Sequence, residues 1–157
     1  MKLTDFFSCE SVIPELKSTE RNAVIRELVA SLAEHGAIDP SVVESISRIA
    51  IKRETEGSTG FGKGVAVPHV KYDGVKKMVA TVGRSSTGVD FAALDRAPVY
   101  TIVLLVSPKS DPDAHLAAME QIFRHLQRDN FRRFLRQSDT KELLIELIKE
   151  ADELSGS

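Results

Sequence analysis

Apolar side chains at Val24, Ile25, Leu28, Val29 and Leu32 return every three or four positions, which is the stripe of an amphipathic helix. Ser18 offers its N-cap and Gly36 its stop. A second stripe, Val42, Val43, Ile46, Ile49 and Ala50, follows Asp39-Pro40, a capping residue with proline at the first helical position, and carries Arg53 near its C-terminal end. Ser110-Asp111-Pro112 opens a third helix, with Leu116, Met119, Ile122, Phe123 and Leu126 as its apolar face and His115 in its first turn. Shorter helical patterns cover residues 131–135 and 141–154, the latter marked by Leu143, Leu144, Leu147 and Ile148.

The period changes in the middle of the chain. Residues 78–83 and 99–106 are rich in Val, Ile and Leu and bounded by Gly, Pro, Asp and Ser, as strands are. The second is apolar almost throughout, so it predicts a central strand buried on both faces. Thr87-Gly88-Val89-Asp90-Phe91 reads as a connecting turn with at most a short strand. Residues 57–64 hold four glycines in eight positions, a shaped loop rather than a helix or strand. Val65-Ala66-Val67-Pro68-His69 follows as an extended segment ending at His69, because the residue before proline is driven out of the α region. Helices before and after a small strand region predict an α/β single-domain sandwich with a mixed β-sheet flanked by helices. No linker or repeat divides residues 1–157, and Ser155-Gly156-Ser157 reads as a flexible tail.

Composition narrows the function classes. Apolar residues make up 42% and charged residues 28% of the 157-residue chain, values of an ordinary globular domain. No apolar run approaches the roughly 20 residues of a membrane helix, and the N-terminus has no sustained signal-peptide core, so no membrane insertion is expected. The single cysteine, Cys9, excludes an internal disulfide; it reads as a small buried residue and fits a cytoplasmic protein. Lys plus Arg number 21 against 23 Asp plus Glu, so the charge balance does not suggest a nucleic-acid partner. The exception is Arg124, Arg128, Arg132, Arg133 and Arg136, diluted by Asp129 and read as a solvated helical face. The four histidines and Cys9 show no His-x-x-x-His or Cys-x-x-Cys pair, so no metal or other cofactor is expected; His35 and His125 read as structural or solvent-exposed.

The glycine stretch matches G-x-x-x-x-G-K over residues 57–63, but Gly64 stands where a nucleotide-binding loop needs Ser or Thr for magnesium. A helix also precedes it where such a loop needs a strand. A different pattern joins the loop to its flanks: Arg53-Glu54, then Gly57-Ser58-Thr59-Gly60, then Val67-Pro68-His69, unlike elements at fixed spacing over 17 residues. With Gly88-Val89-Asp90-Phe91, the apolar strand and His115-Leu116, it resembles the type-2 enzyme IIA family of the bacterial phosphotransferase system, the fructose, mannitol and nitrogen-regulatory proteins, across nearly the whole chain.

That resemblance implies an enzyme IIA mannitol/fructose-like fold and a phosphoryl group carried on His69. It would arrive from phospho-HPr or its nitrogen-branch paralogue. Its onward route would be a cysteine of an enzyme IIB, or none, if the chain regulates target proteins through its phosphorylation state. No stretch reads as a fused enzyme IIB, permease or HPr module, so the likeness is greatest to the stand-alone nitrogen-related branch. Arg53 and His115 match the family's active-site companions.

The chemistry supports these assignments on its own terms. A neutral imidazole, with a reference pKa of about 6.5, has a lone pair that can attack phosphorus and later act as a leaving group. Transfer of the dianionic group rests on positioning and charge stabilisation. Arg53 supplies a fixed positive fork, Gly60, Gly62 and Gly64 allow close backbone approach, and Ser58 and Thr59 bring hydroxyl donors. His115 can donate to a phosphoryl oxygen or hold the tautomer of His69. Plainer readings stand beside them: an ordinary turn histidine at position 69, an ion pair of Arg53 with Glu54 or Glu56, a helix-end histidine at 115. Together they would make a non-catalytic protein-binding module that keeps only the fold.

Overall fold

The computed structural model describes residues 1–155. Two helices come first, α1 (Arg21–Glu34) and α2 (Val43–Glu56). The strands are β1 (Gly60–Gly62), β2 (Val65–Ala66), β3 (His69–Lys71), β4 (Val79–Val89) and β5 (Val99–Ser107). Helices α3 (Pro112–Leu126), α4 (Asp129–Gln137) and α5 (Lys141–Ser155) complete the chain. Ser155 thus closes α5, and the remainder of the expected tail, residues 156–157, lies outside the described residues.

The mixed sheet is organised around β5. Strand β4 pairs antiparallel with it, while β2 and β3 pair parallel with it in a single register, Val65 opposite Thr101 and His69 opposite Leu105. With β1 paired beyond β2, these two are one strand interrupted at Val67-Pro68, because proline has no N–H for the ladder. Its carbonyl still accepts from Leu105 N at 3.0 Å. His69 therefore opens β3 after the interruption instead of ending an extended run.

Alternation along β5 builds the two cores. Ile102, Leu104 and Val106 face a layer made by α1 and α2, and Val103 and Leu105 face α3, α4 and α5. The strand is buried on both faces, as its unbroken apolar run requires. Removing one of these side chains, Leu104→Ala for instance, costs about 2–5 kcal/mol. Near the termini, Asp152 accepts from Leu3 N, Thr4 N and Thr4 Oγ1 at 2.6, 3.0 and 2.7 Å and ties α5 to the start of the chain.

Several local expectations change. Helix α1 is capped by the Glu20 carboxylate, which accepts from Asn22 N and Ala23 N, and not by Ser18; the chain before it stays extended against β4. Asp39 caps a 3-10 turn, Pro40–Val42, that leads into α2. Strand β4 runs on through Thr87-Gly88-Val89 after an irregularity past Arg84, so the short strand expected in this segment is the end of β4 and not a separate element after a connecting turn. On α3 the buried face is His115, Ala118, Ile122, His125 and Leu126, and Leu116 is exposed. The helix is rotated from the expected face because Ala118 and two histidines pack inward. His35 is exposed, His125 is buried and Cys9 is half-buried.

Candidate functional site

Within the glycine stretch the chain forms a strand after all. Gly60–Gly62 pairs antiparallel with Val65–Ala66, and Lys63 and Gly64 take φ values of 61° and 79° at the two-residue turn between them. Both central residues of a type I′ hairpin need positive φ, which glycine meets freely and lysine at a cost of about 1 kcal/mol. Gly60 is required for a different reason: a Cβ there would come within 2.9 Å of Ala93 Cβ. A hairpin stands where a nucleotide-binding loop would lead into a helix.

The hydroxyls of this loop are committed to its shape. Ser58 Oγ donates to Phe91 O at 2.5 Å and accepts from Gly60 N at 2.9 Å. The Glu54 carboxylate, only 3% exposed, accepts from Thr59 N at 3.0 Å and from Thr59 Oγ1. Glu54 and Phe91 were not singled out from the sequence as loop partners, although each stands in a quoted motif. Arg53 lies exposed in the last turn of α2, and its Nη1 donates to Gly57 O at 2.6 Å. It forms no ion pair with Glu54 or Glu56 among the described residues, and no hydrogen bond joins it to a histidine.

The two histidines do come together. His69 and His115 face each other with ring centroids 5.6 Å apart and planes inclined at 52°. His69, half-buried, has Nδ1 2.8 Å from Val67 O. A carbonyl oxygen can only accept, so in the neutral ring the proton sits on Nδ1 and Nε2 keeps its lone pair. The contact spans Pro68, from the residue before the proline to the residue after it.

His115 is placed by the start of α3. Pro112 takes the first helical position, the Asp111 carboxylate accepts from Ala114 N at 3.1 Å, and His115 N donates to Asp111 O at 3.3 Å. The ring is buried, and its Nδ1 lies 2.7 Å from Ser107 Oγ at the end of β5. Burial, and then positive charge on His69 and Lys71, push its pKa down to about 4. His115 is therefore uncharged at neutral pH. Ser107 is a site residue the sequence reading missed; its only signal was its position, immediately after the apolar strand.

Comparison with known proteins identifies the family and the fold. Residues 5–151 match the family described as phosphoenolpyruvate-dependent sugar phosphotransferase system, EIIA 2. A nitrogen regulatory protein of Bradyrhizobium diazoefficiens is 32% identical over 139 residues, covering 88% of this chain and 88% of its own length. The fructose-specific EIIABC component of Bacillus subtilis is 28% identical over 152 residues, 97% of this chain, which spans only 24% of that protein. Among solved structures, the nitrogen regulatory protein IIA-Ntr from Neisseria meningitidis superposes with a TM-score of 0.81 at 22% identity, covering 92% of this chain and 97% of that one. The enzyme IIA-Mtl chain from Escherichia coli, solved in complex with phosphorylated enzyme IIB-Mtl, gives 0.75 at 18% identity, covering 92% and 99%. The likeness to these structures is one of fold.

Proposed function

This chain belongs to the EIIA 2 family of the phosphoenolpyruvate-dependent sugar phosphotransferase system, and from that premise we propose that it carries a phosphoryl group on Nε2 of His69. The observation that carries the proposal is the hydrogen bond from His69 Nδ1 to Val67 O at 2.8 Å, which leaves Nε2 as the nucleophile beside His115. The donor is phospho-HPr or its nitrogen-branch paralogue. The Nε2 lone pair attacks phosphorus, the new N–P bond forms on His69, and the donor's N–P bond breaks with its electron pair returning to the donor imidazole.

His115 serves the incoming dianion as a hydrogen-bond donor, and the N-terminus of α3 adds a favourable dipole. Arg53, exposed and held among the described residues only by Gly57 O, leaves that carbonyl to pair with a phosphoryl oxygen. Ser58 and Thr59 act indirectly, by keeping the hairpin of Gly60, Gly62 and Gly64 closed against Phe91 and Glu54. Among the described residues no helix is long and apolar enough to cross a membrane. We assign the chain to the cytoplasm, where phospho-HPr is made.

Two destinations for the phosphoryl group follow from the relatives. The 32% identity to a nitrogen regulatory protein suggests the regulatory kind, and in this reading the phosphorylation state itself is the signal. About two negative charges added at His69 would alter any partner surface there. Transfer to an enzyme IIB cysteine is the alternative, suggested by the named complex of enzyme IIA-Mtl with phosphorylated enzyme IIB-Mtl. Incubation with enzyme I, HPr or its paralogue and phosphoenolpyruvate, followed by intact-mass analysis at alkaline pH, tests the proposal. One acid-labile phosphoryl group, absent in His69→Ala, is the expected result. No gain with any donor would leave a binding module without transfer.

A further inference from the structure

We propose that Ser107 is a positioning residue for this site: its hydroxyl donates to Nδ1 of His115 and holds that ring as the Nε2–H tautomer, opposite to the tautomer of His69. The inference deepens the carrier reading and rests on it for its functional half. Its structural half rests on hydrogen-bond accounting. Ser107 is fully buried, and its hydroxyl has one hydrogen-bond partner among the described residues, His115 Nδ1 at 2.7 Å.

Two directions are available for that bond. If Nδ1–H donated to Ser107 Oγ, the serine's own O–H would be left in the interior with nothing to accept it. If the hydroxyl donates, only oxygen lone pairs go unused. An orphaned buried donor costs about 1–3 kcal/mol, so the second arrangement prevails. It leaves His115 with its proton on Nε2.

Neither partner has much freedom to leave this arrangement. The main chain of Ser107 is fixed by pairing with Lys71 and by Tyr72 N donating to its carbonyl at 2.8 Å. His115 is fixed by the Asp111 cap and by burial. Since the ring is uncharged at neutral pH, it has a single N–H to offer. The opposite tautomer would turn a lone pair towards an arriving phosphoryl dianion. The neighbouring rings are thus set for different tasks by two unlike acceptors and donors: Val67 O makes His69 a nucleophile at Nε2, and Ser107 makes His115 a donor at Nε2.

Long-range proton–nitrogen NMR of the intact protein at pH 7 reads the two ring nitrogens of each histidine. We expect wild-type His115 to be protonated on Nε2 alone; a proton on Nδ1 would overturn the proposal directly. In Ser107→Ala a minor Nδ1–H population of His115 should appear, with His69 unchanged, and phosphorylation of His69 by phospho-HPr should slow about tenfold, less than about twofold of it from the changed tautomer and the rest from the ring losing its one orienting hydrogen bond. Ser107→Thr, which keeps the hydroxyl, should restore both readouts. Wild-type rates in Ser107→Ala, or no rescue by threonine, would refute the positioning role. If no donor phosphorylates the wild type, the carrier reading fails, while the spectrum of the unmodified protein still decides the tautomer.

Discussion

Helix α3 buries two histidines, ten positions apart, and treats them differently. His115 and His125 both face inward, and burial lowers the pKa of each. His115 meets the Ser107 hydroxyl and lies against His69. His125 packs on Phe131 at 5.4 Å between centroids and lines an apolar cavity of about 20 Å³ with Leu3, Phe7 and Ile122, space for one water. Its Nε2 has no partner among the described residues, and Arg128 Nη1 stands 3.5 Å from its Nδ1, too far for a strong bond. Burial alone therefore does not distinguish the two rings. What separates them is whether the ring's two nitrogens have assigned jobs.

The largest test of this contrast removes the nucleophile. His69→Ala is expected to lose phosphoryl acceptance by at least about a thousandfold, while His125→Leu keeps the wild-type rate. Quench-flow with radiolabelled phospho-HPr measures both, and equal losses would break the comparison. His115→Ala is expected to slow acceptance about a hundredfold, the scale of removing one preorganised donor, without loss of the native fold by circular dichroism. A rate unchanged from wild type would reduce His115 to a packing residue.

Stability against pH gives a third, smaller effect. Because both buried rings have folded-state pKa values below about 6.5, the unfolded chain takes up protons that the folded chain refuses as pH falls through that value. Stability is complete above about pH 6.5 and declines below it, for His115 until the pH reaches about 4. Scanning calorimetry should show the melting temperature about 5 °C lower at pH 5 than at pH 7, with a weaker decline in His125→Leu. The smallest effect is in that variant's own stability. Replacing a half-satisfied ring in an apolar cavity with leucine should gain about 1 kcal/mol in urea denaturation at pH 7, and a loss would show that the orphaned nitrogen has a partner such as a bound water.

Much of this architecture was readable along the chain. Five helical patterns, the doubly buried β5 and the union of Arg53-Glu54, the glycine stretch and Pro68-His69 all rest on local signals: periodicity, capping, proline geometry and spacing. The misreadings share one cause. Ser18 looked like the better cap, yet Glu20 holds α1, because the preceding chain is drawn out along β4. Leu116 looked buried, yet the sheet takes His115 and Ala118 instead. Ser58 and Thr59 looked free to donate, yet Phe91 O and Glu54 claim them.

By itself the sequence determined the family, the layered α/β order and the two histidines of the candidate site, since these depend on residue type and spacing. Only the tertiary structure decided what each nitrogen does. Val67 O reaches Nδ1 of His69 across Pro68, and Ser107, the last residue of β5, reaches Nδ1 of His115 in the first turn of α3. A histidine's tautomer is set by the atom within 3 Å of the other nitrogen, and for His115 that atom comes from a different element, which the fold alone brings within reach.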